Sequence, residues 1–492
     1  MRSKFFAILS MLLPALAVFS ALAVFSALAV FSASAVFAQD AEKTPAPVTA
    51  PLEIGIGVTE ITPPLSYPMA GYYSKRLSDG VLDPLMLRAF CFKQGDEMCV
   101  LAISDSIYVY DDVTAEVKRR IQEKTGLSGD AVFLVGTHTH TGPVWMKYDR
   151  KITPEENLAA AARNDHETFN YKAFWVEQTE KAILESMKDL RPASLSIGKT
   201  SVTDLSFNRR YFMKDSDQVR FNPGVLNPNI IRPAGPIDPD FYGILFRDAK
   251  KKPFASLSNF ALHLDTTGGT KFSADYPFYI QTVLRERFGA DFISGFGTGT
   301  CGDINHVDVT NRHRRRAPEI GTELGKRLAA LYESGEMAEL VPSLDSAMRT
   351  LTVKRQEFTE EQIARARELR SVVMEPNSGY SFLERVEIGK IVNLSTLPVE
   401  HKAEVGAIRL SDDTAIVLLP GEIFVELGQD LKRRSPFKNT IIIELSQQNA
   451  KYIPTRKAFK EGSYETINVL YVEGTGERFI EAAIECLEEL KK

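Results

Sequence analysis

From residue 52 onward, short apolar runs rich in β-branched and aromatic residues alternate with amphipathic stretches of helical period. Strands that must be covered, interleaved with helices able to cover them, restrict the chain to an α/β fold with at least one mixed sheet. Strands are predicted at 87–92, 99–104, 131–135, 255–262, 292–296 and 415–419. Helices are predicted at 112–124, with Gly126 past its end, and at 319–333, 422–434 and 477–490. No Pro/Gly/Ser-rich linker interrupts residues 52–492, and 44% apolar residues in a 492-residue chain supply a large core, so a single large domain is the simplest division.

The N-terminus reads differently. Arg2 and Lys4 precede an apolar stretch from Phe5 to Ala38 that contains the hexapeptide ALAVFS three times and ends in Val36-Phe37-Ala38. Residues 1–38 are therefore expected to be a signal peptide, or a membrane anchor if uncleaved, since the run is long enough to span a bilayer. Residues 39–51 are polar and Pro-rich, as in a flexible tether. Export to a periplasmic or extracellular location follows, and disulfides are permitted there. Cys91 and Cys99 flank the turn-like Gln94-Gly95-Asp96-Glu97 and are expected to face each other across a hairpin, close enough to pair. Cys301 and Cys486 read as small buried hydrophobes. A net charge of −5 gives no basic footprint for nucleic acid.

The strongest local signal is an apolar strand, 131–135, running into Gly136-Thr-His138-Thr-His140-Thr-Gly-Pro143. If strand alternation continues, both imidazoles point the same way, and neutral imidazole is a common zinc ligand; the competing reading is two turn histidines bonding backbone groups. His263 also ends a strand, before Asp265 and Gly268-Gly269. His306 and His313 lie in a polar loop beside Arg312, Arg314, Arg315 and Arg316, and His166 sits in a helical stretch. Glu422 follows Pro420-Gly421 after a strand and is expected to open a helix, where the helix dipole alone would favour a carboxylate.

Other patterns are excluded. The chain has no Gly-x-Ser-x-Gly elbow and no His-Glu-x-x-His helix, and Gly142 and Pro143 break the His-x-His-x-Asp-His pattern of metallo-β-lactamase-like hydrolases. Gly297-x-Gly299-x-x-Gly302 runs into Asp303-Ile-Asn305-His306 rather than an apolar helix, which argues against a dinucleotide site.

Taken together, the collinear blocks Thr59-Glu-Ile-Thr-Pro63, Met69-Ala-Gly-Tyr72, Ser104-Asp105, Gly136-Thr-His-Thr-His-Thr-Gly-Pro143, Asn208-Arg209, Asn222-Pro223, His263, Ser273-Ala-Asp275, Gly302-Asp303, Leu419-Pro-Gly-Glu422, Tyr452-Ile-Pro-Thr455 and Tyr464-Glu465 resemble the neutral, non-lysosomal ceramidases. The resemblance implies a single mixed-sheet catalytic domain like that family's N-terminal domain, with the C-terminal immunoglobulin-like domain lacking. It implies zinc held by His138, His263, Glu422 and Tyr452. His140, Arg209 and Tyr464 would then meet the substrate amide or its oxyanion, with His140 protonating the leaving amine. The reaction implied is hydrolysis of an N-acyl amide of a small amphiphilic lipid, ceramide first among candidates, by zinc-activated water, with the contact to a membrane surface that such a substrate brings. Asn305 stands where the family carries a serine proposed as a nucleophile. An amide side chain cannot form an acyl-enzyme, so Asn305 is expected to be dispensable for covalent attack. Two alternatives remain open: a zinc hydrolase of another amide or ester, and a non-catalytic envelope protein that binds a lipid or sugar.

Overall fold

The computed structural model describes residues 50–145, 153–375 and 378–492. The leader at 1–38 and all but the last two residues of the tether at 39–51 lie outside the described residues.

The apolar runs pair into two sheets. The larger contains β1 (Leu52–Glu60), β2 (Met86–Gln94), β3 (Glu97–Ser104), β4 (Val132–Gly136), β5 (Arg191–Ser201), β6 (Asp240–Asp248), β7 (Pro253–Phe260) and β8 (Ile293–Thr298). Their spatial order is β8-β7-β6-β5-β1-β2-β3-β4, with Ala338–Glu339 added beside β5. The outer pairs β7/β8 and β3/β4 are parallel and the others antiparallel, so the sheet is mixed, as the alternating pattern implies. A smaller sheet, β9 (Pro342–Lys354), β10 (Glu400–Ser411), β11 (Thr414–Leu418) and β12 (Asn439–Ile443), ends in a third parallel pair, β11/β12.

The inner faces of the two sheets meet in one core, where Phe90, Phe133 and Phe246 pack with Ile408, Ile416 and Ile443. Helices close the outer faces. Helices α1 (Asp111–Thr125) and α2 (Tyr171–Lys188) cover one half of the large sheet, and α3 (Tyr276–Phe288) and α4 (Ala317–Glu333) the other. A hairpin of α5 (Glu360–Met374) and α6 (Phe382–Leu394) follows β9. Helices α7 (Val425–Arg434) and α8 (Thr475–Leu490) cover the small sheet. The stripe Phe479, Ile480, Ala483, Leu487 of α8 is fully buried, worth about 1.5–3 kcal/mol for each large side chain. The layers therefore run helix, sheet, sheet, helix. No helix among the described residues is long and apolar enough to cross a membrane.

Three local expectations are corrected. Cys91 and Cys99 do lie on the two strands of a hairpin, but the register pairs Cys99 with Phe92 and Cys91 with Val100. They therefore point to opposite faces of the sheet, and both thiols are free. Glu422 does not open a helix. Gly421, at φ +85°, turns the chain so that Glu422–Ile423 pairs in parallel with Tyr452–Ile453, and α7 starts only at Val425. His166 lies in a turn before α2 rather than in a helix.

Candidate metal centre

Each parallel pair, β3/β4, β7/β8 and β11/β12, is bridged by one helix, α1, α3 or α7. In α/β sheets ligands gather beyond the carboxyl ends of such strands. His138 lies just past β4, His263 just past β7 and Glu422 just past β11, so three crossovers deliver three side chains to one place.

There, His138 Nε2 is 3.1 Å from His263 Nε2 and 3.4 Å from Glu422 Oε2, and His263 Nε2 is 3.9 Å from the same oxygen. All three are buried. Ligands about 2.0–2.1 Å from a tetrahedral ion stand about 3.3 Å from one another; the two separations from His138 are close to that edge and the third is longer. Glu422 Oε2 has no hydrogen-bond partner, and neither ring nitrogen of His140 has one. Ligand atoms of His138, His140 and His263 also lie within 4.8 Å of one another. Buried polar atoms left unpartnered are costly, and a divalent cation would satisfy them. The donor set fits a metal ion.

The two histidines of the His-x-His pair converge for a different reason than strand alternation. The strand stops at Gly136, and His138 adopts φ 79°, a left-handed backbone that costs a non-glycine residue about 1–3 kcal/mol. Its backbone N–H is held by Ser106 O at 2.8 Å. Its Nδ1 donates to Ile107 O at 2.8 Å, leaving Nε2 as the lone-pair nitrogen facing His263. Tyr108 donates its hydroxyl to Glu422 Oε1 at 2.7 Å, which orients Oε2 toward the histidines. Burial raises the Glu422 carboxyl, but His138, His263 and Tyr108 outweigh it and hold the group well below the usual carboxylate range. Burial first and then His138 pull the His140 imidazole down to about 4, so it is neutral at pH 7.

The remaining predicted residues fall in two groups. Tyr452 is the strand partner of Glu422, buried beside it, and its ring lies 5.5 Å from that of Tyr464 and 5.4 Å from the Arg209 guanidinium. Arg209 is clamped by Glu465 Oε1 at 2.9 Å and Gly302 O at 2.8 Å. The Tyr464 hydroxyl accepts from Asn468 Nδ2 at 3.3 Å and lies 3.5 Å from that of Tyr73. Asn305 stands apart: its Nδ2 donates to Asn222 Oδ1 at 2.8 Å and its Oδ1 accepts from Val307 N at 3.0 Å. Both ends of its amide are thus engaged by groups other than the histidines.

Several surrounding groups were not anticipated. The Cys301 thiol, read as a small hydrophobe, is buried but donates to Glu444 Oε1 at 3.1 Å and lies 3.7 Å from His263 Nδ1. Burial pushes the Glu444 carboxyl far above its ordinary value. Asp265 accepts from His306 Nδ1 at 3.1 Å, and Arg314 donates to His306 Nε2 at 2.8 Å, so His306 is a buried link rather than a ligand. Tyr108 carried no motif signal. The α5–α6 hairpin did, in the boxes Thr359-x-x-Gln362 and Ser381-x-x-Glu384 that cap both helices.

A cavity of about 440 Å³ opens onto the centre, lined by His138, His140, Tyr452 and Tyr464 together with Trp145 and Val386. That volume lies within the roughly 300–1,000 Å³ of small-molecule sites.

Fold and site together define a mixed α/β protein with a buried candidate metal centre at the carboxyl ends of three parallel strand pairs. Residues 52–305 match the profile of the N-terminal part of the neutral/alkaline non-lysosomal ceramidases, and the chain belongs to that family. It is 23% identical to neutral ceramidase A of Dictyostelium discoideum over 273 residues, 51% of this chain and 35% of that protein. It is 27% identical to neutral ceramidase 3 of Arabidopsis thaliana over 162 residues, 32% and 21% of the two chains. The matched stretch thus spans 35% and 21% of these two curated relatives. The crystal structure of neutral ceramidase from Pseudomonas aeruginosa superposes with a TM-score of 0.66 at 19% identity, over 90% of this chain and 75% of that one, and shares its fold.

Proposed function

We propose that this chain is a zinc-dependent amidohydrolase that cleaves the N-acyl amide bond of a lipid-like substrate, with ceramide the first candidate. The observation that carries the reading is the buried triangle of His138 Nε2, His263 Nε2 and Glu422 Oε2, with edges of 3.1, 3.4 and 3.9 Å and an unpartnered Glu422 oxygen. His138, His263, Glu422 and Tyr452 would hold the ion. When bound, zinc lowers the pKa of a water toward about 7 and polarises an amide carbonyl.

The protein's own groups supply the rest. His140, neutral and with both ring nitrogens unpartnered, is free to take a proton at one nitrogen and return it to the leaving amine. Tyr464, at the cavity wall beside Tyr452, is placed to donate its hydroxyl to the oxygen on which negative charge develops. Arg209, fixed by Glu465 and Gly302, is a rigid positive charge behind both tyrosines. The aromatic and apolar cavity wall excludes water from the reacting amide and accepts an acyl chain. The leader read from the sequence would deliver such an enzyme to the envelope or beyond.

The test is hydrolysis of ceramide and of simpler N-acyl amides before and after chelation, with His138→Ala and Glu422→Ala alongside. Activity lost on chelation and restored by zinc, and absent in both variants, supports the reading. Full turnover by either variant, or by chelated protein, overturns it.

A further inference from the structure

The cavity lining carries charge of a single sign among the described residues. Arg370 on α5, Arg385 and Lys390 on α6, and Lys451 beside Tyr452 all line it, and no Asp or Glu is among the described residues that do. Among the described residues, none of these four cations is in an ion pair. Arg385 donates to Tyr380 O at 3.1 Å and Ser378 Oγ at 3.3 Å, and Lys390 donates to Gln356 Oε1 at 2.9 Å, all neutral acceptors. Lys451 lies over the Tyr108 ring at 4.9 Å. The Arg370 side chain makes no hydrogen bond to a described residue. The nearest carboxylate felt by Lys390, Glu387 one turn away, is exposed, and burial still pulls the ammonium below its ordinary value.

Two part-buried lysines elsewhere in the molecule are paired with carboxylates. Lys118 meets Glu404 at 2.5 Å, and Lys432 meets Asp238 at 2.6 Å. Several cations grouped along one cleft, with no described carboxylate in its lining, focus a field that draws in anions. Arg385, Lys390 and Lys451 are half-buried and Arg370 is exposed, but all four line the cavity that His138 and His140 also line, which favours a charge on the substrate over a charged bilayer.

We infer that the amide substrate carries an anionic group, of the carboxylate class found in N-acyl amino acids, bound against Arg370, Arg385 and Lys390 on the α5–α6 hairpin. The inference rests on the amidohydrolase reading for its amide and on the cavity wall for its charge. A neutral ceramide would leave this wall unsatisfied.

The test compares a soluble octanoyl amino acid with its uncharged primary-amide counterpart at low salt. The acid should be cleaved with a kcat/KM about tenfold or more higher, the size expected of one partly buried charged hydrogen bond. In Arg370→Gln and Lys390→Gln the acid-to-neutral ratio should fall toward one. In parallel, calorimetry on the zinc-loaded protein measures binding of the matching ketone analogues, which cannot be hydrolysed, and the acid form should bind about tenfold tighter. If both amides are cleaved equally well and the variants change nothing, the charge inference is overturned while the amidohydrolase reading stands. Tighter binding of the acidic ketone with no amide cleaved at all supports the charge inference and removes the amidohydrolase reading. A preference for neutral substrate that grows only on anionic vesicles assigns the cations to a membrane surface and overturns the inference.

Discussion

Tyr108 shows how much of the candidate centre depends on groups outside the proposed ligand set. Its hydroxyl engages one oxygen of Glu422 and leaves the other for the histidines. Tyr108→Phe is therefore expected to weaken zinc affinity about 10–100-fold, read by competition with a chelator of known affinity; unchanged affinity would deny it that role. Asp83 supports a test away from the metal. Burial pushes its carboxyl up to about 7, against hydrogen bonds from Ala274 N at 2.6 Å and Ser273 Oγ at 2.7 Å. Because the folded state favours the neutral acid, the stability it contributes is full below about pH 4 and is lost as pH rises through about 7, with a slope of at most about 1.4 kcal/mol per unit. Asp83→Asn stays neutral throughout, so denaturation at pH 4.5 and 7.5 should show the variant gaining on wild type at the higher pH. A difference that does not change with pH would refute this. His138, His140 and His263 were legible as candidates because seven histidines are few and three sit at strand ends. What the sequence could not convey is that a left-handed backbone at His138, rather than strand alternation, aims the pair.

At the level of elements, the six predicted strands all form, since apolar β-branched runs bounded by turns carry their own signal. The misreadings come from pairing. The Cys91/Cys99 offset depends on a register set one residue away from symmetry. The strand at Glu422 exists only because Tyr452, thirty residues on, lies beside it. Two-residue strands have no periodicity to read. Gly302 illustrates how tightly this corner is built: its N–H donates to Ile423 O at 2.9 Å, and a Cβ there would stand 2.4 Å from Glu422 O. Gly302→Ala should force the two backbones apart, costing about 1–3 kcal/mol in stability and weakening zinc binding. Thermal unfolding and a zinc titration check both, and an unaltered protein would contradict the account.

Across the whole molecule, three crossovers separated by long stretches of chain place His138, His263 and Glu422 at one point past the carboxyl ends of their strands, and the α5–α6 hairpin contributes Arg370, Arg385 and Lys390 to the cavity lining. The family match covers the first two crossovers only, residues 52–305, while Glu422, Tyr452 and the hairpin lie beyond it. The most direct test is therefore the zinc content of the purified protein after equilibration with trace zinc and exhaustive dialysis, measured beside His138→Ala and Glu422→Ala. About one ion per chain in the wild type, and far less in each variant that remains folded, is the expected result. Wild-type protein that retains no zinc, or folded variants that retain as much as wild type, would contradict the metal centre on which the proposed chemistry depends.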